Sequence, residues 1–318
     1  MTMTTPLSVL IMTMNEERNI GACLDGVVGW ASDIVVVDSG STDRTLTLCA
    51  ERGIPTRFHA YVDHPSQMRW SMASIPWKHD WLLVLDADRV VTPELRHEID
   101  EMLRGDTGVI HGFYNPHVQY FRQRPVRGLK TNYLQLVRRA RARVDESELV
   151  DGRLIVDGPT GALRGAIIES NQNELDVDFW IDKHQKYARR IAIEEILRAE
   201  QLLSRSEGVR PRLLGNPDER MVWLKHVWFR MPLYVRPVLF FFYRYVLRLG
   251  FLDGWNGFVF HSFQAFWFRL LVDVNIAEYR RKLKQNTVSL EQLLEAAGRT
   301  SGRRPAESGD RVVECPKS

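Results

Sequence analysis

The 318-residue chain has only three cysteines, Cys23, Cys49 and Cys315. That is too few for a disulfide framework and suits a reducing compartment. Neither GxGxxG nor GxxxxGK[ST] occurs. Without these phosphate-cradling loops, a dinucleotide oxidoreductase and a P-loop phosphotransferase are excluded. No apolar run reaches the roughly 18 uncharged residues of a membrane-spanning helix. The N-terminus MTMTTPLSVLIM lacks the basic start and long apolar core of a signal peptide. There is no internal repeat. The formal charge of +3 is small and no nucleic-acid partner is expected. Acid is missing locally, however: from Arg220 through Leu252 there is no Asp or Glu, against six Lys or Arg.

The N-terminal third contains three apolar runs without alternation, which reads as strands buried on both faces. Leu7–Met12 ends in Thr13, Asn15, Glu16 and Glu17. Ile34–Val37 ends in Asp38 and a Ser/Gly turn, followed by Asp43, Thr45 and a helix, TLTLCAERG, stopped by Gly53. Leu82–Leu85 ends in Asp86 and Asp88. In open α/β sheets ligands bind outside the carboxyl ends of strands. Paired carboxylates there suit a hard divalent cation that also takes substrate phosphates. A helix should follow in TPELRHEIDEML, capped by Thr92 with Pro93 at its first position. Residues 110–165 read as mixed strands and loops, Trp180–Leu203 as a long helix, and 204–220 as a loop.

In order, spacing and strand context, TMNEERNI, IVVVDSGSTDRT and LLVLDADR resemble the three successive motifs of family 2 glycosyltransferases. The segments VDGPTGALRG, WIDKHQKYARR and GFLDGWNGFVFHSFQAFWFRLL resemble the branch that builds bacterial lipopolysaccharide core and exopolysaccharide. The resemblance runs over roughly residues 7–285. It implies a GT-A fold, which is α/β and Rossmann-like with a mostly parallel twisted sheet, here carrying a C-terminal aromatic helical extension. It also implies that Thr13, Asn15, Glu16 and Asp38 hold the nucleoside of a nucleotide-sugar, expected to be a UDP-sugar. Asp86 and Asp88 would then hold Mg²⁺ or Mn²⁺ on the diphosphate.

Inverting sugar transfer needs a base for the acceptor hydroxyl. Related enzymes often carry a His-Glu pair shortly before the VDG segment, and alignment puts Asp151 and Gly152 there. Asp151 is therefore the expected base, with Glu148 and then Glu146 as alternatives. In HPSQMRWSM the family's Gln is kept as Gln67, which the resemblance implies contacts the nucleotide-sugar, but Arg69 replaces its Asn. Arg69 is expected either to pair with diphosphate oxygens or to lie on the surface. Arg89 stands where Glu is common, and should face solvent or an acidic neighbour. His64, His111, His117 and His184 lack metal-ligand spacing and read as structural. Lys183, His184, Lys186, Arg189 and Arg190 form a solvated helix face or a holder for a lipid-linked phosphate.

Residues 223–272 concentrate the aromatics, interrupted by Arg236, Arg244, Arg248 and Arg269. Aromatic helices with basic flanks suit an interfacial position without crossing. The competing reading is a helical core packed on the catalytic domain or on a homodimer partner. The expected organisation is thus 1–222 catalytic, 223–285 membrane-associating or packing, and 286–318 a disordered polar tail. The function expected is metal-dependent inverting transfer to a lipid-linked or lipopolysaccharide-core acceptor, at the inner face of the cytoplasmic membrane. The alternatives are an impaired scaffold member of the pathway and a sugar nucleotidyltransferase. The latter would carry a Gly-rich phosphate loop, and IMTMNEERN has none.

Overall fold

The computed structural model describes residues 4–298 apart from 106, 130, 146–151 and 204–208. The chain opens with β1 (Thr5–Thr13), α1 (Ile20–Asp25), β2 (Ala31–Asp38), α2 (Thr45–Glu51), β3 (Thr56–Phe58), α3 (His64–Ser74) and β4 (Trp81–Asp86). These strands lie in the order β3-β2-β1-β4, all parallel. Along β1 alternate residues serve opposite faces. Leu7, Val9 and Ile11 pack with Ile20, Cys23 and Leu24 of α1. Leu10 and Met12 pack with Met68 of α3 and with Trp77. Burial on both faces is why the strands read as uninterrupted apolar runs.

Two short elements follow, β5 (Arg89–Val91) and α4 (Pro93–Arg104). The Leu95 N–H donates to Thr92 Oγ1 at 3.3 Å, the cap that the sequence implies. Next come β6 (Gly112–Phe121), β7 (Arg124–Pro125), β8 (Thr131–Arg138), β9 (Ala142–Val144), β10 (Leu154–Val156), β11 (Thr160–Ala162) and β12 (Ile167–Glu169). β8 pairs antiparallel with β4, and β6 antiparallel with β8, so β6 again runs with β1. β12 lies parallel to β6 and antiparallel to β5, with Glu169 opposite Arg89. The carboxyl ends of β1, β2, β4 and β12 therefore share one edge of the sheet.

Helices form the rest: α5 (Val177–Ala199), α6 (Pro217–Arg230), α7 (Val235–Phe242), α8 (Gly254–His261), α9 (Phe268–Lys284) and α10 (Leu290–Ala296). α5 starts three residues before the expected Trp180, because Asp176 accepts the Asp178 N–H at 2.9 Å. The expected loop stops at Asn216, since Asn216 and Glu219 form a reciprocal capping box around Pro217. Ala188, Ala192 and Ile196 of α5 share a core with Phe268, Val272 and Ile276 of α9. The boundary expected at 222/223 falls inside α6, and the helices on either side of it are packed together. The expected tail is likewise corrected at its start. Ser289 and Gln292 cap α10 reciprocally, and Leu293 is buried. Residues 299–318 lie outside the described residues.

The aromatic stretch is broken by π-helical turns at Tyr243–Leu247 and Ser262–Trp267. Among the described residues, no helix is long and apolar enough to cross a membrane. Two of its arginines do not face outward as a basic flank would. Arg236 is fully buried and donates to Asp273 and Glu195. Arg244 is also buried.

Candidate active site

The turns after β1 and β2 are knitted together. Asn15 sits in the left-handed region at φ 56°, which Asn tolerates. Its N–H donates to Ser41 Oγ at 2.8 Å, and its Oδ1 accepts the Thr42 N–H at 2.8 Å. The Glu16 N–H donates to Thr45 Oγ1 at 2.9 Å. Asp38 is buried and accepts the Gly40 and Ser41 N–H groups at 2.8 and 2.9 Å. Thr13 ends β1 with its Oγ1 buried and without a hydrogen-bond partner among the described residues. Thr13 is in register with Asp38, and Met12 with Asp86. The two aspartates are thus two strand spacings apart, about 10 Å, within the span of one nucleotide-sugar.

Asp86 is gripped from both sides. His64 Nε2 is 3.1 Å from Oδ1, and Arg89 Nη2 is 2.8 Å from Oδ2. The Gly152 N–H donates to His64 Nδ1 at 3.0 Å. That leaves Nε2 as the protonated nitrogen, donating to Asp86. Burial alone would raise the Asp86 pKa, but Arg89 and His64 hold it well below the usual carboxylate range. Arg89 also faces Glu169 at 3.7 Å, so of its two expected environments it takes the acidic one. Asp88 accepts from Asn171 Nδ2 at 3.0 Å. Burial, then Glu169 and Asp86, push its carboxyl up to about 7. Asp88 is a carboxylate short of positive charge. Among the described residues, no three or more His, Cys, Asp or Glu are grouped to hold a metal ion. Both Asp86 oxygens already meet side chains, His64 and Arg89, while Asp88 keeps Asn171 as its donor.

The other expected site residues differ in their surroundings: His59, which holds Gln67, follows β3 on this edge and donates its N–H to the Asp38 carbonyl at 3.0 Å. Gln67 is buried against His59, its Oε1 2.6 Å from Nδ1. Arg69 lies on the exposed side of α3 and donates to Ser66 Oγ at 3.3 Å. Five residues along a helix from His64, it points about 140° away. Asp151, Glu148 and Glu146 lie outside the described residues. Gly152, at the second position of the missing His-Glu pair, is held to His64. A Cβ there would meet His64 Nδ1 at 2.3 Å.

Several residues at the edge escaped the sequence reading. His64 and His117, read as structural, touch Asp86 and Glu169 respectively, the latter at 3.7 Å. Asn19 donates to Asn171 Oδ1 at 3.1 Å, and Asn173 to Glu16 at 3.3 Å. Lys183 turns inward to Glu174 at 2.7 Å, close enough to Glu16 to act on its charge. The available signal was IIESNQN, another apolar run ending in acid and amides. At three residues, β12 is too short to stand out.

The glycosyl transferase family 2 model matches residues 8–148. It takes in both turns and the aspartate pair. Residues 8–148 are a family 2 glycosyltransferase domain. The lipopolysaccharide core biosynthesis glycosyltransferase LpsC of Rhizobium meliloti is 27% identical over 233 residues, 71% of this chain and 81% of that protein. An uncharacterized glycosyltransferase of Rickettsia bellii is 33% identical over 98 residues, 31% of this chain and 33% of that protein. The glucosyl-3-phosphoglycerate synthase structure from Mycobacterium tuberculosis, in complex with Mn²⁺, uridine-diphosphate-glucose and phosphoglyceric acid, is 21% identical. It covers 35% of this chain and 44% of its own, at a TM-score of 0.30. On the family match and the first of these relatives, the chain is a glycosyltransferase similar to a lipopolysaccharide-core enzyme.

Proposed function

We propose that this glycosyltransferase moves a sugar, with inversion, from a nucleoside-diphosphate-sugar, a UDP-sugar, to a lipid-linked saccharide or lipopolysaccharide-core acceptor. The observation that carries this reading is the convergence, inside the matched domain, of the β1 and β2 turns with Asp86 and Asp88. The two turns suit the nucleoside, and the two carboxylates suit Mg²⁺ or Mn²⁺ on the diphosphate. A bound cation supplies Lewis-acid stabilisation of the departing diphosphate. His64 and Arg89 orient Asp86 for that role.

The acceptor hydroxyl attacks the anomeric carbon while its proton passes to a carboxylate. The bond to the diphosphate oxygen breaks, and the nucleoside diphosphate leaves. We assign the base to Asp151, with Glu148 as the alternative. The anchoring of Gly152 to His64 supports this, because it ties the following residue to the Asp86 carboxylate through two hydrogen bonds.

The acceptor's lipid would meet the apolar surface of α7 and the segment after it. Leu239, Phe242, Val246, Leu247 and Trp255 are all exposed there, Trp255 at 81%. Such a patch marks an interaction surface. We assign it to peripheral docking on the inner face of the cytoplasmic membrane rather than to a dimer contact. Cys23 and Cys49 are free thiols, which agrees with a reducing compartment.

The test is Asp88→Asn. Nucleotide release from a panel of UDP-sugars with Mn²⁺ should fall by about 10²- to 10³-fold, the scale for losing one electrostatic stabiliser of the leaving group. Thermal stability should hold or rise, since a carboxylate crowded by Glu169 and Asp86 is removed. Unchanged turnover in the variant, or in wild type with excess chelator, overturns the metal-dependent reading.

A further inference from the structure

The acid-free stretch identified in the sequence places one arginine where, among the described residues, no carboxylate pairs with it and the Phe240 ring, 5.3 Å from its guanidinium carbon, is its aromatic neighbour. Arg244, in the π-helical turn Tyr243–Leu247, is 6% exposed. Its Nε and Nη2 are buried without a hydrogen-bond partner among the described residues. The groups that act on its charge are Arg269, Tyr133, Arg248 and Tyr243, and none is a carboxylate. Arg269 and Arg244 lie 5.6 and 5.3 Å from the same Phe240 ring, so a second guanidinium adds to the positive field. His261 is fully buried nearby. Burial and then Arg244 push its pKa down to about 4, which leaves it neutral at ordinary pH. Asp253, the acid that acts on His261, is committed to Arg127, whose backbone N–H and Nη1 both reach it at 2.6 Å. Burying a guanidinium without a partner is strongly unfavourable, so such groups are paired or meet a ligand. Arg236, eight residues earlier, shows the paired alternative with Glu195 and Asp273.

The position relates this charge to the acceptor side of the catalytic edge. Gly128, in the loop before β8, packs so closely that a Cβ would lie 2.9 Å from the Arg244 carbonyl oxygen. Tyr133 of β8 stands edge-on to His117, ring centroids 4.5 Å apart, and His117 faces Glu169. β8 lies on the far side of β4 from the nucleoside turns of β1 and β2. The same segment carries Val246 and Leu247, both exposed. A buried unpaired guanidinium thus lies between the carboxylate edge and an apolar surface.

We propose that Arg244, reinforced by Arg269, is a phosphate-binding site that receives a phosphate ester of the acceptor at the boundary between apolar surface and water. A guanidinium fork matches phosphate oxygens in a way that an ammonium does not. The site rests on the reading that this edge transfers sugar to an acceptor, whereas its chemistry is separate from the donor's.

The test uses the full chain in chelator, with thermal unfolding in chloride and in inorganic phosphate at matched ionic strength. Phosphate should raise the wild-type Tm and leave Arg244→Gln unmoved, with Asp88→Asn responding like wild type. In chloride, Arg244→Gln should melt no lower than wild type, because an unpaired buried charge has been removed. Flotation with phosphatidic acid and phosphatidylcholine vesicles separates the sources. An Arg244-dependent preference for phosphatidic acid, without a response to free phosphate, supports the site with a lipid-borne phosphate as its ligand. An equal phosphate response in wild type and Arg244→Gln overturns the proposal, as does the absence of any Arg244-dependent response in both assays. Failure of both Arg244→Gln and Arg244→Met to fold overturns it too, by making the guanidinium a packing element. Mn²⁺-dependent UDP-sugar binding, measured on the same proteins, distinguishes the two readings. If Arg244→Gln binds donor normally but still responds to phosphate, only this proposal fails. If wild type binds no donor, the functional reading fails instead.

Discussion

Arg89 and Arg236 are both enclosed by acids, but the acids come from different distances. Arg89 meets Asp86, three residues away, and Glu169, its opposite number across a strand pair. Arg236 meets Asp273 and Glu195, 37 and 41 residues away on other helices. In the parallel half-sheet, charge is gathered by topology, because every strand delivers its polar end to one edge. In the helical region, charge is gathered by packing, and the local sequence gives no sign of which arginine will be enclosed. The first arrangement builds a site and the second holds helices together. Arg244, enclosed without an acid among the described residues, belongs to neither pattern.

The largest effect that sharpens this contrast is expected at Arg236. Replacing it with Ala leaves Glu195 and Asp273 as uncompensated buried charges. Breaking a buried pair in this way costs about 3–5 kcal/mol. Urea unfolding should show that loss for Arg236→Ala, while Arg244→Gln stays near wild type. Equal losses for the two variants would erase the distinction between a paired and an unpaired buried arginine. The same reasoning retires any attempt to probe membrane docking by reversing Arg236, since that variant would unfold before it could report on vesicles.

What was legible follows the same division. β1, β2 and β4 were readable because a strand buried on both faces is a continuous apolar run, which also put Thr13, Asp38 and Asp86 at the strand ends, while their roles toward a ligand came from resemblance. The Thr92 cap was readable because capping is local. Glu169 and Asn171 were not, since β12 has only three residues and owes its place to β6 and β5. His64 was missed because its role comes from where α3 docks, not from any ligand spacing. Gln67 was given a ligand role by resemblance, yet His59, only eight residues away, takes up its side-chain amide. The aromatic stretch showed its composition but not its sidedness, so a flank was expected where two of its arginines are interior.

A smaller effect concerns the outer face of that stretch. If docking depends on apolar burial, exposed Leu247 and Trp255 should matter more than the arginines. Leu247→Glu with Trp255→Ser should lower partition into anionic vesicles by about tenfold or more, the scale of withdrawing one large apolar side chain. Activity on a water-soluble acceptor should not change. Vesicle binding equal to wild type would make this face a contact with protein instead.

The smallest expected effect tests whether topology alone organises the catalytic edge. His64 reaches Asp86 from α3, and the Gly152 N–H fixes its tautomer by donating to Nδ1. Gly152→Ala would set a Cβ 2.3 Å from that nitrogen, and the ring must move. Asp86 keeps Arg89 in either case, so the carboxylate stays charged and only its orientation loosens. Losing one orienting hydrogen bond to a charged group is worth roughly 1.5 kcal/mol, about tenfold. Gly152→Ala and His64→Ala should therefore each lower kcat by about that factor, with Tm close to wild type. The double variant should do no worse than either single change, because both act through one bond. Additive losses would mean that Gly152 and His64 serve the edge independently, with Gly152 acting through the segment that carries Asp151.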